Sequence, residues 1–217
     1  MKDSRGSPPI SELAMKDILS RYGIVTDEEL RVKILAYMSL LEMWNRRISL
    51  TKITDPMSVL KFHFGESFFA APALSIVDGR LADVGTGAGF PGIPLKMICP
   101  KLQVTLIESN LKKCAFLAEA IRTLNLDGIK VVQNRMEDLI SPECVFDFVA
   151  ARAIGHTQEL LRFAGKFLSS SGKVILWLGD GDTSLISSKF THWRWSPSKR
   201  IPFSDRRSLL VGERLSS

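Results

Sequence analysis

The chain lacks an apolar run long enough to cross a bilayer. Its most apolar stretch, around residues 68–77, falls far short of the roughly 20 residues a span needs. Met1 to Pro9 contain no apolar h-region, so no secretory signal is expected and no membrane association either. Only three cysteines occur among 217 residues, Cys99, Cys114 and Cys144, odd in number and without metal-ligand spacing. A disulfide framework is thereby excluded and no metal site is expected. The cysteines read as small apolar side chains in a reducing, cytoplasmic compartment. A low-complexity basic tail is missing as well. With 45% hydrophobic and 24% charged residues, the chain can bury one core plus a small extension.

Glycine, in contrast, is concentrated. Residues 81–95 read L-A-D-V-G-T-G-A-G-F-P-G-I-P-L, with glycines at 85, 87, 89 and 92 between two apolar segments. Glycine turns sharply at positive φ and lets a ligand approach bare backbone. A strand entering such a turn before a helix presents free N–H groups to a small molecule, so this is a nucleotide-type cofactor site. Gly87 to Gly92 satisfies G-x-G-x-x-G, and Glu108 follows Gly87 by 21 positions, which are marks of a dinucleotide site. Asp83, two residues before the first glycine, weighs the other way. Its carboxylate repels a pyrophosphate but suits the ammonium and sulfonium charges of S-adenosylmethionine. Pro91 also removes an N–H that a phosphate would want. These residues favour S-adenosylmethionine over a dinucleotide or a bare surface loop, and both alternatives stay open here.

The net charge of +6 and pI near 9.3 raise the expectation of a polyanionic partner. The cations come in pairs, Arg46-Arg47, Lys112-Lys113, Lys199-Arg200 and Arg206-Arg207. Each pair alone reads as solvated surface. Several converging on one rim would form a phosphate path.

Residues 1–10 are expected to be disordered, and 11–78 to form a helical extension. Ser11–Arg21 and Asp27–Asn45 show helical spacing, the second with Leu30, Ile34, Tyr37, Leu41 and Trp44 on one stripe. Asp55-Pro56 starts another helix toward Ala71, which holds His63. From residue 79 to 217 strands and helices alternate, predicting a parallel, doubly wound α/β sheet. Residues 193–203 and 208–213 add an antiparallel C-terminal hairpin, as in the class I, Rossmann-like methyltransferases. Ligands bind at the carboxyl ends of such strands. Those ends deliver Asp83, Gly85 and Gly87, then Glu108 for the ribose hydroxyls, then Asn134 to Glu137, then Ala151 to Ala153.

D-V-G-T-G-A-G-F-P-G-I-P-L, E-S-N-L-K-K-C-A-F-L, N-R-M-E-D-L and F-D-F-V-A-A-R-A together resemble the bacterial 16S ribosomal RNA guanine-N7 methyltransferases, the glucose-inhibited division protein B family. The resemblance runs from about Trp44 to Ala153. It implies methyl transfer from S-adenosylmethionine to guanine N7 in the 530 loop of 16S ribosomal RNA, with the RNA or the small ribosomal subunit as partner. It also implies that Gly85 and Phe90 bind the cofactor at the first turn and that Met136 and Glu137 flank its adenine. Arg152 would reach the cofactor's methionine end or the target base as the catalytic residue. Arg135 would lie beside the RNA, with His63, Lys112, Lys113, Arg206 and Arg207 as further RNA candidates. Three departures stand out: Glu108 where the family usually has Asp, Ala151 for a usual Ser, and Trp177-Leu178-Gly179 for Leu-Lys-Gly.

Missing residues agree with this chemistry. Methylation of a pyrimidine carbon needs a cysteine nucleophile after a proline, and Cys99 instead precedes Pro100. Adenine-amine methylation usually shows an Asn/Asp-Pro-Pro-aromatic run after strand four, where this chain has Ala-Arg-Ala. Guanine N7 carries a lone pair and no proton, so positioning suffices without a general base. A small-molecule or protein substrate is the alternative. His63 has an equal claim as a packing residue between helices. Asp147 reads as a strand residue bonded to nearby backbone, and Trp193 and Trp195 as packing residues or base-stacking ones.

Overall fold

Ser11 and Asp27 accept hydrogen bonds from the amides of Ala14 and Leu30 and so start α1 (Glu12–Ser20) and α2 (Glu28–Asn45) where the sequence predicts them. A computed structural model describes residues 10–138, 145–152, 155–179 and 181–215. The disorder expected for residues 1–9 lies outside that range, as do Cys144 and Ala153. Ile10, expected to be disordered with them, is instead buried against the core.

Asp55 caps the next helix with Pro56 in its first turn. The chain runs through α3 (Pro56–Val59), a π-helical stretch (Leu60–Gly65), α4 (Glu66–Phe68) and α5 (Ala70–Leu74). The π-helical stretch holds His63. Wide turns of this kind recur at functional sites because they re-aim side chains and free carbonyls.

Five strands then form a parallel sheet: β1 (Arg80–Val84), β2 (Gln103–Glu108), β3 (Ile129–Gln133), β4 (Phe146–Arg152) and β5 (Leu168–Gly179). Helices α6 (Gly92–Ile98), α7 (Leu111–Thr123) and α8 (Thr157–Phe167) connect them. Three strands follow, β6 (Trp193–Trp195), β7 (Lys199–Arg200) and β8 (Arg207–Arg214). The order is β3-β2-β1-β4-β5-β8-β6, with β7 also on β8, and β8 lies antiparallel to β5 and β6. The expected hairpin is therefore present, but its second strand is inserted beside β5. Its first strand is broken in two, because Pro197 has no N–H for the ladder. Helix α9 (Asp182–Lys189) was not legible in the sequence, since only Ile186 of it is buried and one residue makes no periodicity.

Strand order reverses between β1 and β4, which opens a crevice at their carboxyl ends. Alternate residues of β1 face opposite sides: Leu81 joins an apolar cluster with α1, α2, α6 and α7, whereas Ala82 and Val84 join one with α8 and α9. The first cluster contains residues from both sides of position 78, so the N-terminal helices pack directly on the sheet.

Candidate active site

β1 delivers Asp83 to a turn in which Gly85, Gly87 and Gly89 all have positive φ, from 59° to 82°. The Asp83 carboxyl is fully buried, and its Oδ2 accepts from Thr86 Oγ1 (2.6 Å) and the Gly92 amide (2.7 Å). A Cβ on Gly92 would stand 2.8 Å from that oxygen and 2.5 Å from Leu106 Cδ2, so only glycine fits. Asp83 is thus the strut of the turn before it is anything else. Its Oδ1 is buried without a partner.

Burial pushes the Asp83 carboxyl up to about 7, against the opposing hydrogen bonds from Thr86 and Gly92. A carboxyl raised above its unfolded value contributes stability below about pH 4, and that contribution is lost as pH rises through about 7. Asp83→Asn cannot ionise, so between pH 5 and 8 wild type should lose about 2–3 kcal/mol relative to it. Urea denaturation at both pH values checks this, and parallel curves would contradict it.

Glu108 ends β2, nearly buried. Its Oε2 accepts from the Gly87 amide (3.0 Å) and its Oε1 from the Asn110 amide (2.9 Å), locking the glycine turn to the corner that starts α7. Each oxygen retains a lone pair for a further donor. Glu108, Gly85, Arg135, Met136 and Glu137 line one cleft of about 530 Å³, with His156 and Glu159 on the wall by α8. With Asn134, six of the residues singled out by sequence therefore come together there, and His156 and Glu159 are additions.

Arg152 lies behind the turn, at the end of β4. Its Nη2 donates to the Phe62 carbonyl and lies 3.1 Å from Glu66 Oε2, while Nη1 is buried without a partner. The fully buried Glu66 also takes Arg207 Nη1 on both oxygens, at 2.8 and 2.9 Å. Trp177 Nε1 donates to the Glu66 carbonyl (2.7 Å), so the departure at 177 is a brace for this cluster. Arg207, expected on an RNA rim, is instead a partner of Glu66, with its guanidinium 5.8 Å from the Phe62 ring centre. Sequence reading missed Glu66. Its signal was a lone acid in the apolar run F-H-F-G-E-S-F-F-A-A, where a charge is rarely buried without a partner.

Two further expectations change. Phe90 does not line the cleft: its ring is buried, stacked on His63 (4.7 Å) and Tyr37 (5.4 Å), and joins the glycine turn to the helical region. His63 takes its packing role, with Nε2 2.7 Å from Thr51 Oγ1. Burial first, then the charges of Arg152 and Arg207, push it down to about 3, so it stays neutral.

Of the remaining cations, Lys112 and Lys113 sit on the first turn of α7, and Arg206 is exposed; none makes an ion pair among the described residues. Asp147 accepts from the Arg80 amide, as expected. Trp193 is buried and Trp195 donates to the Phe190 carbonyl, so both are packing residues. Cys99 and Cys114 donate to the carbonyls of Ile76 and Glu108, and burial raises Cys99 to about 11. Among the described residues no helix is long and apolar enough to cross a membrane, and no cluster of three or more His, Cys, Asp or Glu could hold a metal.

The family model described as rRNA small subunit methyltransferase G matches residues 31–200. A Xylella fastidiosa (strain M23) protein named ribosomal RNA small subunit methyltransferase G is 37% identical over 196 residues, covering 89% of this chain and 88% of that one. One of the same name from Syntrophus aciditrophicus (strain SB) is 41% identical over 161 residues, covering 72% and 66%. Among solved structures, the ribosomal protein L11 methylase from Lactobacillus delbrueckii subsp. bulgaricus superposes with TM-score 0.59 at 16% identity, over 71% of this chain and 79% of that one. M. jannaschii TYW2 in complex with AdoMet superposes with TM-score 0.50 at 18% identity, over 64% and 70%. The fold is the class I, Rossmann-like methyltransferase fold.

Proposed function

The chain belongs to the rRNA small subunit methyltransferase G family of S-adenosylmethionine-dependent enzymes, and from that premise we propose that it methylates N7 of a guanine in the 530 loop of 16S ribosomal RNA. The observation that carries this reading is Arg152, a guanidinium beside the glycine turn with one buried nitrogen lacking a partner. No activated nucleophile accompanies it among the described residues: the cysteines Cys99 and Cys114 are buried and turned to carbonyls, and His63 is too weak a base. Guanine N7 asks for neither.

The residues fit the cofactor. Asp83 Oδ1 is a buried acidic oxygen without a partner beside the glycine turn, as an amino acid's ammonium requires. Glu108 accepts the ribose hydroxyls, Met136 and Glu137 flank the adenine, and the backbone of Gly85, Gly87 and Phe90 borders the rest. When bound, S-adenosylmethionine supplies an electrophilic methyl group on a sulfonium. Arg152 orients the guanine through O6, which leaves the N7 lone pair free to attack. The buried cluster of Glu66, His63 and Phe90 excludes water and prevents the guanidinium from swinging. Arg135, Lys112, Lys113 and Arg206 take RNA phosphates.

Labelled methyl incorporation into undermethylated small subunits, followed by mapping of the modified nucleotide, tests the assignment. Label in another nucleotide, or only in protein or small molecules, would overturn it. A separate variant tests the cofactor turn. A Cβ on Gly87 meets nothing nearer than the Gly85 carbonyl at 3.9 Å, so Gly87→Val costs the fold only its φ of 59°, about 2 kcal/mol. Cofactor binding should nevertheless be lost, because the branched side chain occupies the approach. Calorimetry showing undiminished affinity would remove Gly87 from the site.

A further inference from the structure

Phe203, in the loop between β7 and β8, is a bulky residue at φ 59° and is 39% exposed. A large aromatic side chain in the left-handed region is strained, and such strain persists where the surroundings enforce it. Here they come from two distant elements. Arg21, at the end of α1, places its guanidinium 5.3 Å from the ring centre, and Lys61, in the π-helical stretch, places its ammonium 5.2 Å away. Tyr22 packs against the same ring at 5.6 Å and donates to the Lys61 carbonyl. Neither Arg21 nor Lys61 makes an ion pair among the described residues. Two cations thus rest on one aromatic ring. Arg206 lies three residues along the same loop, and Asp205 is the one acid there.

This shelf borders the site already described. Lys61 precedes Phe62, whose carbonyl holds Arg152 and whose ring lies under Arg207. We propose that Arg21, Lys61 and Phe203 receive a single-stranded stretch of ribosomal RNA beside the target base, the cations taking phosphates and the ring stacking one base. Sequence-specific proteins read RNA mainly where it is single-stranded, and cations flanking an aromatic platform are what such a strand needs. The inference rests on the ribosomal RNA reading above, and the test separates the two.

The test measures binding of 16S ribosomal RNA across a salt series, together with methylation kinetics on undermethylated small subunits. Arg21→Ala with Lys61→Ala should weaken RNA binding at least tenfold at low salt. The slope of log affinity against log salt should fall by about 1.4, two single-strand phosphate contacts. Asparagine tolerates left-handed backbone, so Phe203→Asn should fold well yet raise KM for the RNA about tenfold. Its kcat and cofactor affinity should be unchanged. Lys101→Ala, an exposed cation at the far end of β2, should change nothing. Wild-type methylation with unaltered RNA affinity in the variants would sink the shelf and leave the function standing. A fall in kcat alone for Phe203→Asn would mark the ring as structural, and a wild-type protein that methylates no RNA would overturn both readings.

Discussion

Arg152→Ala should lower single-turnover methyl transfer about a hundredfold while leaving RNA affinity within a few fold of wild type. The asymmetry follows from where the charges lie. Affinity for RNA comes mostly from exposed cations meeting phosphates, whereas the Arg152 side chain is only 14% exposed and leaves one nitrogen for the reacting centre. Its loss should be tolerated by the fold, since Glu66 keeps Arg207 on both carboxylate oxygens. The Phe62 carbonyl loses a donor, which costs about 1–2 kcal/mol. A thermal melt run beside the kinetics separates that from the rate effect.

Arg152→Lys sharpens the test. Lysine keeps the charge and can still reach one acceptor, but it lacks the planar fork that serves Glu66, Phe62 and a ligand together. It should recover stability more than rate. Near-normal turnover in the alanine variant would make Arg152 a structural strand-end residue and move the site to Arg135 in the cleft.

What the sequence made legible was whatever a residue's own identity dictates locally. Gly85, Gly87 and Gly89 had to be glycines because their φ is positive, and Ser11, Asp27 and Asp55 had to be cap residues. Glu108 was found by a fixed offset from the turn. The charged cluster was not legible, because Glu66 and Arg207 stand 141 residues apart and only the insertion of β8 beside β5 joins them. Arg206 and Arg207 look like one basic patch in sequence, yet Arg206 lies exposed in the loop before β8, whereas Arg207 opens β8 and turns its guanidinium to Glu66. Phe90 misled for a related reason. An aromatic residue in a glycine turn suits a cofactor wall and a packing joint equally, and only the position of Tyr37 and His63 decides.

Glu66→Gln should destabilise the protein by about 3 kcal/mol and slow methyl transfer as well. Glutamine keeps the volume but removes the negative charge that both guanidiniums share. Breaking a buried ion pair from one side costs about 3–5 kcal/mol. The lower end applies here because Arg207 is 42% exposed and water screens it. The cluster is not a net source of stability, however: burial raises Glu66 and lowers Arg152 despite their mutual attraction, so desolvation outweighs the pairing. The double variant Glu66→Leu with Arg152→Met should therefore recover most of the lost stability, as apolar replacements of buried pairs commonly do. It should not recover turnover, because the guanidinium is gone. Urea denaturation and single-turnover rates on the two variants decide the matter. Wild-type stability in Glu66→Gln would mean that solvent reaches the cluster. Methyl transfer at the wild-type rate by the double variant would show that these charges serve the fold alone.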